Sequence, residues 1–233
     1  MKLACVSIAY CEERFISRFI QNMQDRVEEI LVLNSIKPWF GHTETDNTAT
    51  TADSLGATVI QGDWQTEEDQ RNAGQEYFSD FDWIITLDPD EFILDEDWGR
   101  LVNFLETAPL DAYVTGMQHT YWKKGYIIDP PEDYKQIIAV RPSVRFVDKR
   151  VVGSSWGYAP TELHHFSWAR SDAECWRKVT SYGHAEEFDS LGWFSNVWLD
   201  EVFEDLHPLT PEALKTAVRV ELPEELQRLD LWP

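Results

Sequence analysis

The fold of this chain is decided by the stretch Trp83-Ile84-Ile85-Thr86-Leu87-Asp88-Pro89-Asp90-Glu91. Its first five residues are apolar or β-branched and do not alternate with polar residues, which is typical of a strand buried on both faces of a sheet. Asp88, Asp90 and Glu91 follow at the carboxyl end of that strand, where open α/β sheets bind their ligands. Asp88 and Asp90 project to the same side of an extended chain, and their charges repel unless a cation lies between them. The stretch therefore predicts a hard divalent cation bound by oxygen atoms, with an acidic turn around Pro89 as the alternative.

Strands and helices alternate on the amino-terminal side of this stretch. Apolar runs predict strands over residues 3–10, 29–33, 57–61 and 83–87. Helical spacing of apolar residues, or polar residues ending at a glycine, predicts helices over residues 12–26, 47–55 and 67–78. This alternation indicates βαβ units, so we expect a Rossmann-like α/β fold with a mainly parallel sheet flanked by helices.

The pattern changes after residue 90. We expect a helix over residues 98–106, a mixed region with strands over 112–121 and 136–152, and a helical tail that begins over 211–220. The segment 129–133, which contains two prolines, separates the two strands as a turn or mobile loop. Because no internal repeat or low-complexity linker interrupts the chain, we expect a single domain over residues 1–233.

Composition narrows the class of partner. The 42 Asp and Glu residues outnumber the 20 Lys and Arg residues, which gives a net charge of −22 and disfavours sequence-independent binding to nucleic acid or anionic membranes. Residues 121–150 are locally basic, and they either face an anionic substrate or form an ordinary solvated surface. Three cysteines argue against a disulfide framework, and no apolar run reaches the roughly 18 residues of a membrane span. We therefore expect a cytoplasmic protein.

Several further motifs carry a resemblance to a known family. They are the strand end Ala9-Tyr10-Cys11-Glu12-Glu13, the segments Trp39-Phe40-Gly41, Asp46-Asn47-Thr48 and Gly56-Ala57-Thr58-Val59-Ile60, then Gln70-Arg71-Asn72-Ala73-Gly74 before Asp88-Pro89-Asp90-Glu91, and finally His164-His165-Phe166-Ser167-Trp168-Ala169-Arg170 with Lys178 and His184. Over roughly residues 2–210 the chain resembles the glycosyltransferases of the GT-A fold, especially family 2. It departs from them at Ala9-Tyr10-Cys11, where members usually carry Pro-x-Tyr-Asn, and at Asn34-Ser35, where many carry an acid.

The resemblance implies a metal-dependent transfer of sugar from a nucleotide-sugar, first of all a UDP-sugar, to an acceptor hydroxyl with inversion. It implies a donor-binding half over residues 1–95, an acceptor-binding half over 96–210 and a tail over 211–233. Mn²⁺ or Mg²⁺ would be bound by Asp88 and Asp90, and His164 or His165 is either a further ligand or an ordinary structural histidine. The expected donor-binding residues are Ala9, Tyr10, Glu12, Asn34, Asp46, Arg71, Asn72, Asp88, Arg170 and Lys178.

Inverting transfer also needs a base that takes the proton of the acceptor hydroxyl. Glu132 and Asp133, on the proline-marked loop, and Glu162 are the candidates, and the sequence leaves the choice among them open. Glu91 is a further catalytic candidate that could bind sugar or acceptor hydroxyls, or it is an acid that favours the start of a helix. Solvated surface charge is the alternative for each of the first three.

Two other functions compete with glycosyl transfer. A nucleotidyltransferase would share the fold, but it usually opens with a Gly-rich basic loop, where this chain has Glu12-Glu13-Arg14. A non-catalytic carbohydrate- or cation-binding module would use tryptophans and the acidic motif, although such modules are mostly all-β. The acceptor stays open between a glycan and another hydroxyl compound, and a modified DNA base is possible but not favoured.

Overall fold

The computed structural model of the chain describes residues 1–131, 135–200, 203–204, 206, 208–209 and 215–233. Its first half alternates strands β1 (Leu3–Ala9), β2 (Glu29–Ser35), β3 (Thr58–Gly62) and β4 (Trp83–Thr86) with helices α1 (Glu13–Met23), α2 (Thr48–Ser54) and α3 (Glu67–Tyr77). The strands lie side by side in the order β4, β1, β2, β3, and each neighbouring pair is parallel. The α/β architecture predicted from the sequence is confirmed.

Hydrophobic burial explains why these elements form. Every residue of β1 and of β4 is buried, as expected for strands covered on both faces. Helix α1 buries Phe15, Ile16 and Phe19 at helical spacing against the sheet. Because parallel strands end at one edge, the residues that follow β1, β2 and β4 meet there.

The second half extends this sheet with a mixed region. It contains β5 (Glu91–Phe92), α4 (Asp95–Leu105), β6 (Ala112–Trp122), β7 (Tyr126–Asp129), β8 (Ile137–Val140), β9 (Phe146–Asp148), β10 (Val151–Val152), β11 (Gly157–Trp168), α5 (Asp172–Ser181), α6 (Ser190–Trp193), a π-helical turn (Phe194–Trp198), β12 (Thr216–Arg219) and α7 (Glu224–Gln227). β8 pairs antiparallel with β4 and with β6. β11 runs parallel to β6 and also pairs with β5 directly after the acidic motif.

Two sequence predictions differ from the structure. The single strand predicted over 136–152 is divided into β8, β9 and β10. A turn in which the Val144 N–H donates to the Arg141 carbonyl separates β8 from β9, and a second turn at Lys149 and Arg150 folds β10 back antiparallel to β9. In the tail, residues 216–219 form β12 rather than part of a helix over 211–220, since they pair antiparallel with β7. Residues 211–214 lie outside the described part of the chain, and helix in the tail is found at α7. Among the residues described, no helix is both long and apolar enough to cross a membrane.

Gly74 allows α3 to pack closely on β1. A Cβ atom at this position would lie 2.5 Å from Cγ1 of Val6, so any larger residue forces the helix away from the strand. We predict that Gly74→Ala lowers the free energy of unfolding by roughly 1–3 kcal/mol, measured by urea denaturation. Gly99→Ala in α4 is the matched control, because nothing lies within 4 Å of its Cβ position, and it should be neutral or slightly stabilising. Equal effects of the two substitutions would contradict this account of the packing.

Candidate functional site

A cavity of about 500 Å³ opens at the carboxyl ends of β1, β2 and β4. Side chains from α3, from the β9–β10 hairpin, from β11 and from α5 complete its walls. Eight Lys or Arg residues line it against six Asp or Glu residues, whereas acidic residues outnumber basic ones about two to one in the whole chain. The cavity is therefore a basic region of an acidic protein, and its charge suits an anionic ligand.

Asp90 lies at the centre of the basic wall and is 3% exposed. Its Oδ2 accepts hydrogen bonds from Arg170 Nη2 at 2.6 Å and from Lys178 Nζ at 2.9 Å. His165 Nε2 lies 3.5 Å from its Oδ1. Burial opposes ionisation, but Lys178, His165 and Arg170 together outweigh it and hold the pKa of Asp90 well below its usual range. Asp90 is therefore a buried carboxylate that stays charged.

Arg170 and Lys178, both predicted to bind the donor, differ in how firmly they are held. Arg170 donates to both carboxylate oxygens of Glu12 at 3.0 Å in addition to its bond with Asp90. Its guanidinium is thus fixed between the start of α1 and the acidic motif. Among the residues that the structure describes, Lys178 donates one hydrogen bond, to Asp90, and an ammonium group has three donors. Lys178 is the better placed of the two to reach a ligand.

Asp88 and Glu91 belong to a second network. Both oxygens of Asp88 accept from Arg71 Nη2, at 2.9 and 3.1 Å, and Arg150 Nη1 lies 3.5 Å from Asp88 Oδ2. Glu91 is fully buried, binds Arg150 Nη1 at 2.6 Å and accepts from the backbone N–H of Asp88. Glu91 therefore lies behind the cavity wall, where it positions Arg150, and not in the cavity, where it was expected to meet sugar or acceptor.

The two adjacent histidines point in opposite directions, because successive residues of a strand face opposite sides of a sheet. His165 lines the cavity beside Asp90. His164 turns away, with its Nδ1 2.8 Å from the Tyr121 hydroxyl and its ring stacked on His119 at 4.9 Å. Burial lowers the pKa of His164 to about 4, so this ring is neutral at pH 7. Of the two candidate metal ligands, the structure brings His165 to the acidic motif.

Some of the other expected donor-binding residues line the cavity and others do not. Ala9, Tyr10, Glu12 and Arg71 line it. Asn34 and Asp46 do not line it, although Ser35, the neighbour of Asn34, does. Asp46 instead accepts hydrogen bonds from the backbone N–H groups of Glu13 and Thr48, and so joins the starts of α1 and α2.

Asn72 acts on the backbone of β9. Its Nδ2 donates to the carbonyl of Phe146 and its Oδ1 accepts from the N–H of the same residue, both at 2.9 Å. Asn72 was expected to bind the donor. The strand it positions is β9, which leads to Arg150.

Of the carboxylates expected to act as base, the structure describes Glu162. It does not line the cavity, and its Oε2 lies 2.8 Å from Nε2 of His119. Glu132 and Asp133 lie outside the described residues. Two residues that do line the cavity, Asp148 and Arg150, were considered in the sequence only as members of a basic segment. No local signal could have singled out Arg150, because its partners Glu91 and Thr86 lie 59 and 64 residues earlier.

Asp90 and His165 offer two donor atoms to a divalent cation, and a bound ligand and water would have to supply the rest of its coordination. No cluster of three potential metal ligands occurs among the residues that the structure describes. Asp90 Oδ1 and His165 Nε2 lie 3.5 Å apart, and a cation between them would replace the proton of His165. Burial lowers the pKa of His165, but Asp90 outweighs burial, so this pKa is raised above its usual value. Protein sites for Mg²⁺ often use one or two carboxylates and take their remaining ligands from phosphates and water, and imidazole suits transition metals. Asp88, the other expected ligand, already faces Arg71 with both oxygens.

The model of the family described as glycosyl transferase family 2 matches residues 5–150, from β1 to Arg150. The chain belongs to glycosyl transferase family 2. A TPR repeat-containing protein of Synechococcus elongatus is 24% identical to this family 2 chain over 135 residues, which make up 58% of the chain and 31% of that protein. The chain thus spans about a third of the length of this curated relative.

Two solved glycosyltransferase structures share the fold. GalNAc-T7 with UDP, GalNAc and Mn²⁺ has a TM-score of 0.50 and 10% identity, over 73% of this chain and 46% of its own. The mannosyltransferase PcManGT of Pyrobaculum calidifontis, with GDP-Man and Mn²⁺, has a TM-score of 0.50 and 11% identity, over 76% and 61%. At these identities the similarity shows a common fold for this family 2 chain and nothing finer.

Glu174 fixes the start of α5, the helix that carries Lys178. It forms a capping box with Ser171 and accepts from Arg14 Nε at 2.7 Å. Burial opposes its ionisation, but Arg14 and Ser171 outweigh this and lower the pKa of Glu174 to about 2. Because the folded pKa lies below the unfolded value, the ionised group stabilises the fold at neutral pH, and this stabilisation is lost as the pH falls from about 4 towards 2.

We predict that Glu174→Gln lowers the free energy of unfolding by roughly 2–3 kcal/mol at pH 7. The difference from the wild type should narrow between about pH 4 and pH 2, because the wild-type carboxylate becomes protonated there. Urea denaturation at several pH values measures both effects, and Glu76→Gln, on the exposed face of α3, is the control. A difference that does not change with pH would contradict the assignment.

Proposed function

We propose that the cavity binds a nucleotide-sugar and transfers its glycosyl group to an acceptor hydroxyl. The observation that carries the proposal is a basic cavity in an acidic chain, with buried Asp90 facing His165 at the carboxyl edge of parallel strands. A nucleoside diphosphate is an anion that would bind at such an edge. Membership of family 2 supports the reaction class.

The two halves of the chain would bind different parts of the substrates. Residues 1–95 supply Tyr10 and the acidic motif, and would bind the nucleotide. Tyr10 and Trp39 line the cavity near the ends of β1 and β2, and their rings offer surfaces on which a base could stack. Residues 96–210 supply the hairpin β9–β10, which would face the acceptor, and also His165 and Lys178, which would reach the diphosphate of the donor. A UDP-sugar is the donor we propose first, and the structures with UDP and GDP-Man make both nucleotides worth testing.

Asp90 and His165 would hold the divalent cation, Mn²⁺ or Mg²⁺. When bound, that cation would act as a Lewis acid that neutralises the diphosphate as the bond to the sugar breaks. Lys178, which lies beside Asp90, would add a second positive charge at the phosphates. Arg170 and Glu12 would keep the Asp90 carboxylate in place while the ligand binds. A single displacement at the anomeric carbon would invert its configuration, and NMR of the product anomer would test this.

Binding of a nucleotide should depend on the metal through His165. We predict that UDP with Mn²⁺ raises the melting temperature of the wild-type chain more than either alone, because a ligand of the native state stabilises it by mass action. His165→Gln should remove the dependence on Mn²⁺. His164→Gln, which changes the neighbouring ring that faces away from the cavity, should keep it.

The same thermal-shift series with GDP and CDP identifies the base, and a shift for one nucleotide that needs Mn²⁺ would support the donor site. Absence of a shift with every nucleotide, with and without metal, would refute the proposed function. Equal metal dependence in His165→Gln and the wild type would refute the metal site alone.

A further inference from the structure

Six carboxylates line the cavity, and five of them are engaged by cationic side chains. The five pairs are Glu12 with Arg170, Glu67 with Arg71, Asp88 with Arg71 and Arg150, Asp90 with Arg170 and Lys178, and Glu174 with Arg14. The sixth is Asp148. In the part of the chain that the structure describes, its side chain forms neither a hydrogen bond nor a salt bridge, and the residue is exposed to the cavity.

The backbone around Asp148 is nevertheless held on several sides. Asn72 clasps both backbone groups of Phe146 at the start of β9. The N–H of Lys149 donates to Glu68 Oε2 at 3.1 Å. Arg150, two residues after Asp148, is bound to Glu91 within the network of the acidic motif. Asp148 therefore presents an uncommitted carboxylate from a fixed element, as a group that must meet a substrate in one geometry requires.

An uncommitted carboxylate has the property that a general base needs. A carboxylate paired with Arg or Lys already accepts hydrogen bonds from these side chains, and its proton affinity falls. We propose that Asp148 is the general base of glycosyl transfer, an inference that rests on the function proposed above. The acceptor O–H proton moves to the Asp148 carboxylate, and the acceptor oxygen forms a bond to the anomeric carbon. The bond from that carbon to the diphosphate breaks, and its electron pair leaves with the nucleoside diphosphate.

His184 is the competing base in the cavity wall. Its Nδ1 lies 2.9 Å from Glu187 Oε1, and Glu187 Oε1 also accepts from Lys149 Nζ at 2.5 Å. This line of contacts ties the segment after α5 to the β9–β10 hairpin. These contacts give His184 a role in holding the wall that bears Asp148. The proton of the acceptor hydroxyl is therefore assigned to Asp148.

The test uses the full chain with UDP-glucose, UDP-GlcNAc or GDP-mannose, Mn²⁺, and water as acceptor, with release of nucleoside diphosphate as the readout. Asp148→Asn should lower kcat about 100-fold or more, because loss of a general base costs on the order of 10²–10⁴ in rate. The KM for the donor and the thermal shift should stay as in the wild type. Asp148→Glu should recover part of kcat, since it restores a carboxylate.

Two variants serve as controls. Asp80→Asn changes another exposed carboxylate, away from the cavity, and should keep full activity. His184→Gln should lower kcat much less than Asp148→Asn does, because it loosens the wall and leaves the Asp148 carboxylate present. Wild-type kcat in Asp148→Asn, a change in KM alone, or a loss of kcat that falls on His184→Gln instead would overturn the assignment. The thermal shift of the wild type in the same samples reports on the proposed function separately, and its absence would overturn both proposals.

Discussion

The burial of the Asp90 charge is the constraint on which the rest of the site depends. An ion removed from water costs several kcal/mol unless charges and hydrogen bonds compensate it. Asp90 is 3% exposed, and its compensation comes from Arg170, Lys178 and His165. These three residues belong to β11, to α5 and to the short connection between them, and Arg170 also holds Glu12 at the start of α1. The contacts that neutralise this one carboxylate thus bring together β11, α5, the connection between them and the start of α1 at the end of β4.

A separate network neutralises the other two acids of the motif. Arg71 from α3 meets Asp88, and Arg150 from the residues after β9 meets Glu91. Because neither arginine contacts Asp90 in the bonds described above, a ligand can engage Asp90 while the neighbouring charges remain paired. A site whose charges are already oriented needs little rearrangement when a polar ligand arrives. This arrangement also explains how a chain of net charge −22 maintains a basic cavity.

Local sequence patterns were sufficient to predict the alternating strands and helices of the first half and the position of the acidic motif. The all-buried run of β4 and the helical spacing of α1 depend on neighbours within one element, so they are readable from the sequence. The choice of His165 over His164 was not readable, because it depends on which face of β11 lies against the connection between β4 and β5 that carries Asp90. That Asp90 and Asp88 belong to two different networks was not readable either, since Arg170, a partner of Asp90, lies 80 residues beyond it. Pairing at such distances is decided by topology rather than by spacing.

Pairing between distant parts of the chain also decides the structure of the tail and the choice of the general base. Residues 216–219 pair with the open edge of β7, and this backbone pairing prevails over the predicted helix. In the sequence, Asp148 is one acid within a segment noted for its positive charge. It differs from the other cavity carboxylates in lacking a cationic partner among the described residues, and this is known only from the structure.

The most direct test of the central claim is a crystal structure of the chain grown with Mn²⁺ and a non-hydrolysable UDP-sugar, with data recorded at the manganese absorption edge. The account predicts an anomalous peak within coordination distance of Asp90 Oδ1 and His165 Nε2, and a diphosphate in contact with Lys178. A manganese peak at other residues, or a nucleotide bound outside the cavity, would contradict it.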